Sequence, residues 1–266
     1  MRSRTALMML GLATLWLAGC FAEPPEPLHL LGEAEMVLVS GGKSFMGPDP
    51  DDQGSIREVS LSQFFIDRTE VTVAAYSECV DAGPCQPPVN GSGFNSGVPE
   101  LLEHPVNGVS WFDANTYCLW VSGGAKRLPT EAEWERAARG KGGLTYTWGE
   151  IPEPSCEWVA MSENGVGCGT GGTLPVGSRI GDISPWGAVD MAGNVAEWVN
   201  DWYGPYDMAD DEDPRGPATG TERVIRGGSI INVDFDAFRT MTRSKVIPEA
   251  ESMDIGFRCV SDEPIE

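Results

Sequence analysis

Thirty-three glycines and twenty prolines interrupt this chain of 266 residues. Glycine weakens helix and strand interiors, and proline breaks helices and removes a donor from a sheet. Long helices and broad regular sheets are thereby disfavoured, and ordered loops must carry much of the fold. Three helices are still readable from their starts. Thr72 is placed to cap one that runs to about Val80, with Val73, Tyr76 and Val80 on one stripe. Ser110 caps a second, with Asp113 at its third position, Ala114, Tyr117, Cys118 and Val121 facing inward, and Gly123 ending it. Thr130 and Glu133 form a capping box for a third, which buries Trp134, Ala137 and Ala138. Short β-runs are Met36–Val39, Val59–Ile66, Arg223–Arg226 and Gly256–Val260. The expected class is α+β, loop-rich, with short strands and few helices.

The amino terminus speaks to location. Arg2 and Arg4 precede an apolar run from Ala6 to Ala18, which is too short to span a bilayer comfortably and has the form of a targeting segment. Leu17-Ala18-Gly19-Cys20 reads as a lipobox. Residues 1–19 are then a signal peptide, and Cys20 carries a lipid. Phe21 is not the aspartate that retains lipoproteins at the inner membrane, so the expected anchor is the outer membrane, with the domain in the periplasm or at the cell surface. Residues 20–35 form a tether in which Pro24, Pro25 and Pro27 lie among Glu23, Glu26, Glu33 and Glu35. Such a composition cannot pack a core and favours extended chain. Residues 36–266 remain for one domain.

Charge narrows the partners. The chain has 18 Lys+Arg against 40 Asp+Glu. Such an excess of acid argues against nucleic acid and against lying flat on anionic lipid. Two acidic runs, Asp49, Asp51 and Asp52, and Asp207, Asp210, Asp211, Glu212 and Asp213, lack the full pattern of a calcium loop and read as solvated loops. Beyond Cys20 there are six cysteines, and an even number in an exported chain implies disulfides. Their spacing alone leaves about fifteen connectivities. Cys79 and Cys85 flank the turn residues Asp81-Ala82-Gly83-Pro84, and Cys156 and Cys168 flank a glycine-rich loop. A zinc site would want paired CxxC spacing or neighbouring histidines, which are missing.

Several blocks occur in order. They are Met36-Val37-Leu38-Val39-Ser40-Gly41-Gly42, Phe65-Ile66-Asp67-Arg68-Thr69-Glu70-Val71-Thr72, Arg127-Leu128-Pro129-Thr130-Glu131-Ala132-Glu133-Trp134-Glu135, Gly193-Asn194-Val195-Ala196-Glu197-Trp198, Arg226-Gly227-Gly228-Ser229 and Gly256-Phe257-Arg258-Cys259. The ordered set resembles the formylglycine-generating enzymes, or sulfatase-modifying factors. The resemblance implies a variant of the C-type lectin fold. It implies a Cys118–Cys259 bridge, and with it the expected set is completed by Cys79–Cys85 across the turn and Cys156–Cys168 across the glycine-rich loop. It implies calcium held by the side chains of Asp190 and Glu197 and the carbonyls of Gly193 and Val195, a donor set of the hard-oxygen kind that Ca²⁺ prefers. At the family's other calcium site Met161 and Cys168 stand where ligands are needed, so that site is expected to be lost. The family's active enzymes hold Cu(I) on two cysteines between the last two blocks; here the matching positions are Asn232 and Ala237. Cu(I) selects thiolates, so no copper is expected. Asn232, with Asp234, Asp236, Arg239 and Arg243, marks a candidate vestigial pocket. His29 and His104 are the sole histidines, and no acid–base or nucleophile constellation stands out, so no catalytic residue is named. The expected function is a binding or assembly module of the cell envelope, attached to the membrane by its lipid and engaging an unidentified envelope protein or ligand. The alternative is a periplasmic enzyme of another kind, as with the related pyoverdine-maturation proteins, which also lack the cysteine pair.

Overall fold

The computed structural model describes residues 35–47, 56–207 and 209–265. Cys20, most of the tether, His29 and the acidic run at Asp49–Asp52 lie outside the described residues. Among the described residues ten short strands form three sheets, accompanied by three α-helices. The first sheet takes β1 (Met36–Val39), β4 (Phe64–Asp67), β10 (Val260–Ser261) and β5 (Lys126–Arg127) in that order. A two-stranded sheet pairs β2 (Gly42–Met46) with β3 (Arg57–Leu61). The third runs β8 (Arg243–Val246), β7 (Arg223–Arg226), β6 (Ala196–Trp202) and β9 (Ile255–Gly256). The chain end thus closes two sheets: β9 lies parallel to β6, and β10 lies between β4 and β5.

Helix starts follow local chemistry. Helix α1 (Val73–Ala82) begins where Thr72 accepts from the Ala75 amide and stops at Gly83, whose φ of 99° is open to glycine. Helix α2 (Trp111–Val121) and helix α3 (Glu131–Arg139) each carry a complete capping box, Ser110 with Asp113 and Thr130 with Glu133. These reciprocal bonds satisfy amide donors that a helix start leaves free.

Two β-runs differ from expectation. The stretch Val59–Ile66 is not one strand. It turns at Ser62 and Gln63 into β3 and β4, which belong to different sheets. Asp213 holds the turn by accepting from the Ser62 amide and hydroxyl. Similarly, Gly256–Val260 splits into β9 and β10. Between them Phe257 and Cys259 offer their carbonyls to Val71 and Asp67, and Arg258 turns inward. Helix α3 also departs from its expected face, since all nine of its residues are buried, Glu131, Glu135, Arg136 and Arg139 included.

The three disulfides are Cys79–Cys85, Cys118–Cys259 and Cys156–Cys168. The second links α2 to the chain end across 141 residues. Closing so long a loop removes on the order of 5 kcal/mol of unfolded-state entropy in the chain-entropy account. Its sulfurs sit in the largest core cluster, with Tyr76, Tyr117, Trp198 and Phe257.

Candidate functional site

Two buried arginines organise the molecule. Arg226, at the end of β7, donates to Glu131 at 3.0 Å and to Glu135 at 2.8 Å, both on α3. Its other donors reach the carbonyls of Thr240 at 2.7 Å and Met241 at 3.2 Å. The same side chain therefore fixes the helix and grips the far end of the segment that follows Ser229. Arg139 closes on Glu135 at 2.6 Å, and Arg243 closes on Glu131 at 2.8 Å. Gly227 and Gly228 have φ of 97° and 71°, and a Cβ on Gly228 would meet the Ala237 carbonyl at 2.9 Å. Glycine is required there for both reasons. Nearby Asp201 accepts the Glu131 amide at 2.8 Å. Burial, then the Glu131 carboxylate, pushes its carboxyl up to about 8.

The second arginine is Arg258. It meets both oxygens of Glu197, with contacts of 2.7 to 3.0 Å, and donates to the carbonyls of Asp67, Arg68, Val189 and Asp190. Trp134 Nε1 donates to Glu197 Oε2 at 2.8 Å. Three more buried carboxyls surround this pair. Glu70 Oε1 accepts from the Asn194 amide group at 2.9 Å, and its Oε2 has no hydrogen-bond partner. Asp190, in the left-handed region at φ 56°, accepts from the Gly177 amide. Asp182 accepts from the Thr147 hydroxyl and the Ala192 amide. Desolvation raises Glu70, Asp182 and Asp190 above the ordinary carboxylate range, and Asp190 raises the first two further; Asp182 reaches about 8. One guanidinium among four carboxyls leaves the cluster short of positive charge.

Of the four positions named for calcium, the two carboxyls already have partners within the chain. Glu197 spends both oxygens on Arg258 and Trp134. Asp190 faces Gly177 and Glu70. Gly193 packs so closely on Ala160 that a Cβ would meet its carbonyl at 2.4 Å. Val195 is buried beside them. Among the described residues no group of three or more His, Cys, Asp or Glu side chains is arranged to hold a metal. Of the positions matching the family's other calcium site, Met161 is core and Cys168 is bridged.

Between the arginines lies the segment where copper chemistry would sit. Asn232 Oδ1 accepts from the Ser229 amide at 2.8 Å and lies 3.0 Å from its hydroxyl, closing a turn. Asp234 caps a short 3₁₀ turn, Phe235–Phe238, by accepting from the Asp236 amide. Asp236 pairs with Arg239 at 2.5 Å on the surface. Ala237 packs against the cluster of Tyr146, Val159, Met161 and Phe238. Arg243 is turned the other way, onto Glu131 and the rings of Tyr203 and Tyr206. The expected vestigial pocket is therefore corrected: its polar groups tie the segment to itself or to the core and do not converge. Beside the exposed Asp234 and Asp236, the segment also presents apolar side chains, Ile231, Val233 and Phe235 at 46%, 66% and 38% exposure.

The other candidates are structural. His104 Nδ1 lies 2.9 Å from the Thr173 hydroxyl, and burial lowers its pKa. In the acidic run, the carbonyls of Asp207 and Asp210 accept from Arg57, and Asp213 holds Ser62. Sequence reasoning missed Arg226, Arg258, Glu131 and Glu135 as partners. Their motifs were visible, but their burial depends on contacts 61 to 95 residues apart.

Comparison with known proteins follows the same lines. Residues 22–263 match the model of the sulfatase-modifying factor enzyme 1-like domain. The formylglycine-generating enzyme of Streptomyces coelicolor is 40% identical over 183 residues, covering 64% of this chain and 56% of that enzyme. This chain thus spans little more than half of that enzyme's length. The inactive C-alpha-formylglycine-generating enzyme 2 of Mus musculus is 32% identical, covering 93% of this chain and 91% of its own. The solved structure of PvdO from Pseudomonas aeruginosa superposes with a TM-score of 0.71 at 24% identity, over 85% of this chain and 93% of that one.

Proposed function

The chain belongs to the sulfatase-modifying factor enzyme 1-like family, and we propose that it is an envelope-anchored binding or assembly module without the family's oxidase chemistry. One observation carries this reading. At the two positions where the active enzymes need thiolates, Asn232 is the acceptor of a closed turn and Ala237 is a packed methyl. The six cysteines of the domain are all in disulfides, so none supplies a substitute thiolate. Without soft ligands the metal that performs the oxidation has no holder, and oriented neighbours do not replace a cofactor's own redox chemistry. The mouse relative described as inactive supports the reading that the frame can outlive the reaction. In this proposal Cys20 carries the lipid, the tether holds the domain off the bilayer, and the frame presents its surface to an envelope partner.

The test incubates copper-loaded protein with a sulfatase-type cysteine peptide and oxygen, and follows aldehyde by mass. No turnover above a boiled control is expected. Turnover would mean that other ligands serve the metal, and the binding-module reading would fall.

A further inference from the structure

Glu35, the first described residue, lines a cavity of about 370 Å³ between the start of α1, the end of α2 and the 176–189 loop. We propose that this cavity seats the chain's own residues 28–34 in extended form, with Leu28 and Leu30 turned in, so that the tether is latched to the domain. Val71, Ala75, Val121, Val176, Ile180 and Val189 give the cavity an apolar wall. Ile180 is 81% exposed, and Ile183, also in the lining, is 42% exposed. The loop that carries both is already fixed. The Val176 amide donates to the Glu103 carbonyl at 2.9 Å, the Gly177 amide donates to Asp190, and Ile183 bridges to Val189. A preformed concave wall of aliphatic side chains is the common form of a binding site.

The point where the described chain begins says what covers this wall. Glu35 is pinned in the lining by Arg68, whose amide donates to the Glu35 carbonyl at 2.7 Å and whose guanidinium pairs with its carboxylate at 3.0 Å. The residues just before it therefore start at the cavity. They include an aliphatic run without a carboxylate, Leu28-His29-Leu30-Leu31, in a tether that otherwise carries Glu23, Glu26, Glu33 and Glu35. Counting back from Glu35 to Leu28, an extended chain reaches about 23 Å, ample to cross the cavity. Side chains alternate along an extended chain. Leu28, Leu30 and Gly32 then share the inward face. Glu33 takes the other face, away from the exposed Glu78 and Glu103 of the lining.

Other occupants are at a disadvantage. A second copy brings the same excess of acid, 18 Lys+Arg against 40 Asp+Glu, and is repelled. A separate apolar peptide must compete with a segment whose own linkage holds it at an effective concentration on the order of mM. The consequence for placement rests on the lipid anchor proposed above. With residues 28–34 seated, the free tether is residues 20–27, which with Pro24, Pro25 and Pro27 span about 25 Å. The cavity face is then held toward the bilayer. The 229–243 segment, none of which lines the cavity, stays open to a partner.

The experiment is limited proteolysis of the mature protein on liposomes with a glutamyl endopeptidase, following the cut after Glu33 by mass. Seating the segment should protect that bond, because a protease needs the chain free around it. Ile180→Asp leaves the cleaved sequence unchanged and alters an exposed side chain, so the fold should survive; it should speed the cut at least tenfold. Leu28→Ser with Leu30→Ser should do the same from the other side. All three substitutions together should cut no faster than either set alone, because both sets break one contact. Parent cleavage as fast as that of the variants overturns the proposal, as do effects of the two sets that multiply. Protection that grows with protein concentration, with dimers in sedimentation that Ile180→Asp removes, would give the cavity to a second copy and overturns it too. The same measurement on protein without the lipid should give the same ratios. Failure of the anchor, or formylglycine turnover, would thus leave the latch standing.

Discussion

The arginine clusters and the segment between them treat polar groups in opposite ways. Arg226 and Arg258 are buried, and their contacts reach into distant parts of the chain. From Ser229 to Arg239 the side-chain polar contacts are mostly between residues two to three apart, and the exposed surface includes Ile231, Val233 and Phe235. The motifs that mark the family are thus the ones that hold the frame. The copper positions sit in a stretch whose side-chain polar contacts are mostly local, whose backbone carbonyls at Ile230 and Asn232 accept from Gly167 and Ser162, and whose end is clamped by Arg226. Such a stretch can change its chemistry without loosening the frame. Stability and the family's activity should therefore separate under substitution.

The sharpest way to break this contrast is Glu197→Ala. It leaves Arg258 buried with no carboxylate in direct contact, and breaking a buried pair from one side costs about 3–5 kcal/mol. Denaturant unfolding should show a loss of that size, equal in saturating Ca²⁺ and in chelator. A loss that appears only with Ca²⁺ present would place the ion at Glu197 and make Arg258 the lesser partner.

A smaller effect is expected from pH. Asp201 is raised to about 8 by burial and by Glu131, against an unfolded value near 3.9. The folded state then keeps a proton that the unfolded state releases between these values. Its contribution is full below about pH 4 and is lost as pH rises toward 8. Asp182, also raised to about 8, acts with the same sign. Stability should fall across that window. Asp201→Asn, which resembles the protonated form, should flatten the slope and be more stable than the parent at pH 8. An unchanged slope would mean that Asp201 is ionised in the fold, compensated by Arg243.

The local features were legible in the sequence. Thr72, Ser110 and Thr130 announce their helices because a cap is satisfied within three residues. The Cys79–Cys85 bridge follows a turn, and the ordered motifs indicated the fold. The clusters were not legible, because nothing local distinguishes Glu131 and Glu135 from ordinary solvent-facing helix residues. Arg226 makes their burial tolerable from 91 and 95 residues away. The break at Ser62 was hidden for the same reason, since Asp213 lies 151 residues on. The candidate pocket at Asn232–Arg243 misread a run of charges as convergent. Its members point to three different places, and Arg243 belongs to the core.

The smallest effect on stability is expected where the family's chemistry would be restored. Asn232→Cys with Ala237→Cys removes one acceptor from the Ser229 turn and adds a thiol to a half-buried 3₁₀ turn. A hydrogen bond of this kind contributes about 0.5–1.5 kcal/mol, so the loss should stay near 1 kcal/mol, well below that of Glu197→Ala. Anaerobic titration of this double variant with Cu(I) should give one bound ion, while the parent gives none at these positions. A destabilisation as large as that of Glu197→Ala would show the segment to be part of the frame, and the contrast between the two regions would fail. Folding intact with no copper bound would show something narrower. The frame would then have drifted along with its cysteines, and the clamp of Arg226 on Thr240 would no longer hold the two positions at the spacing two thiolates need.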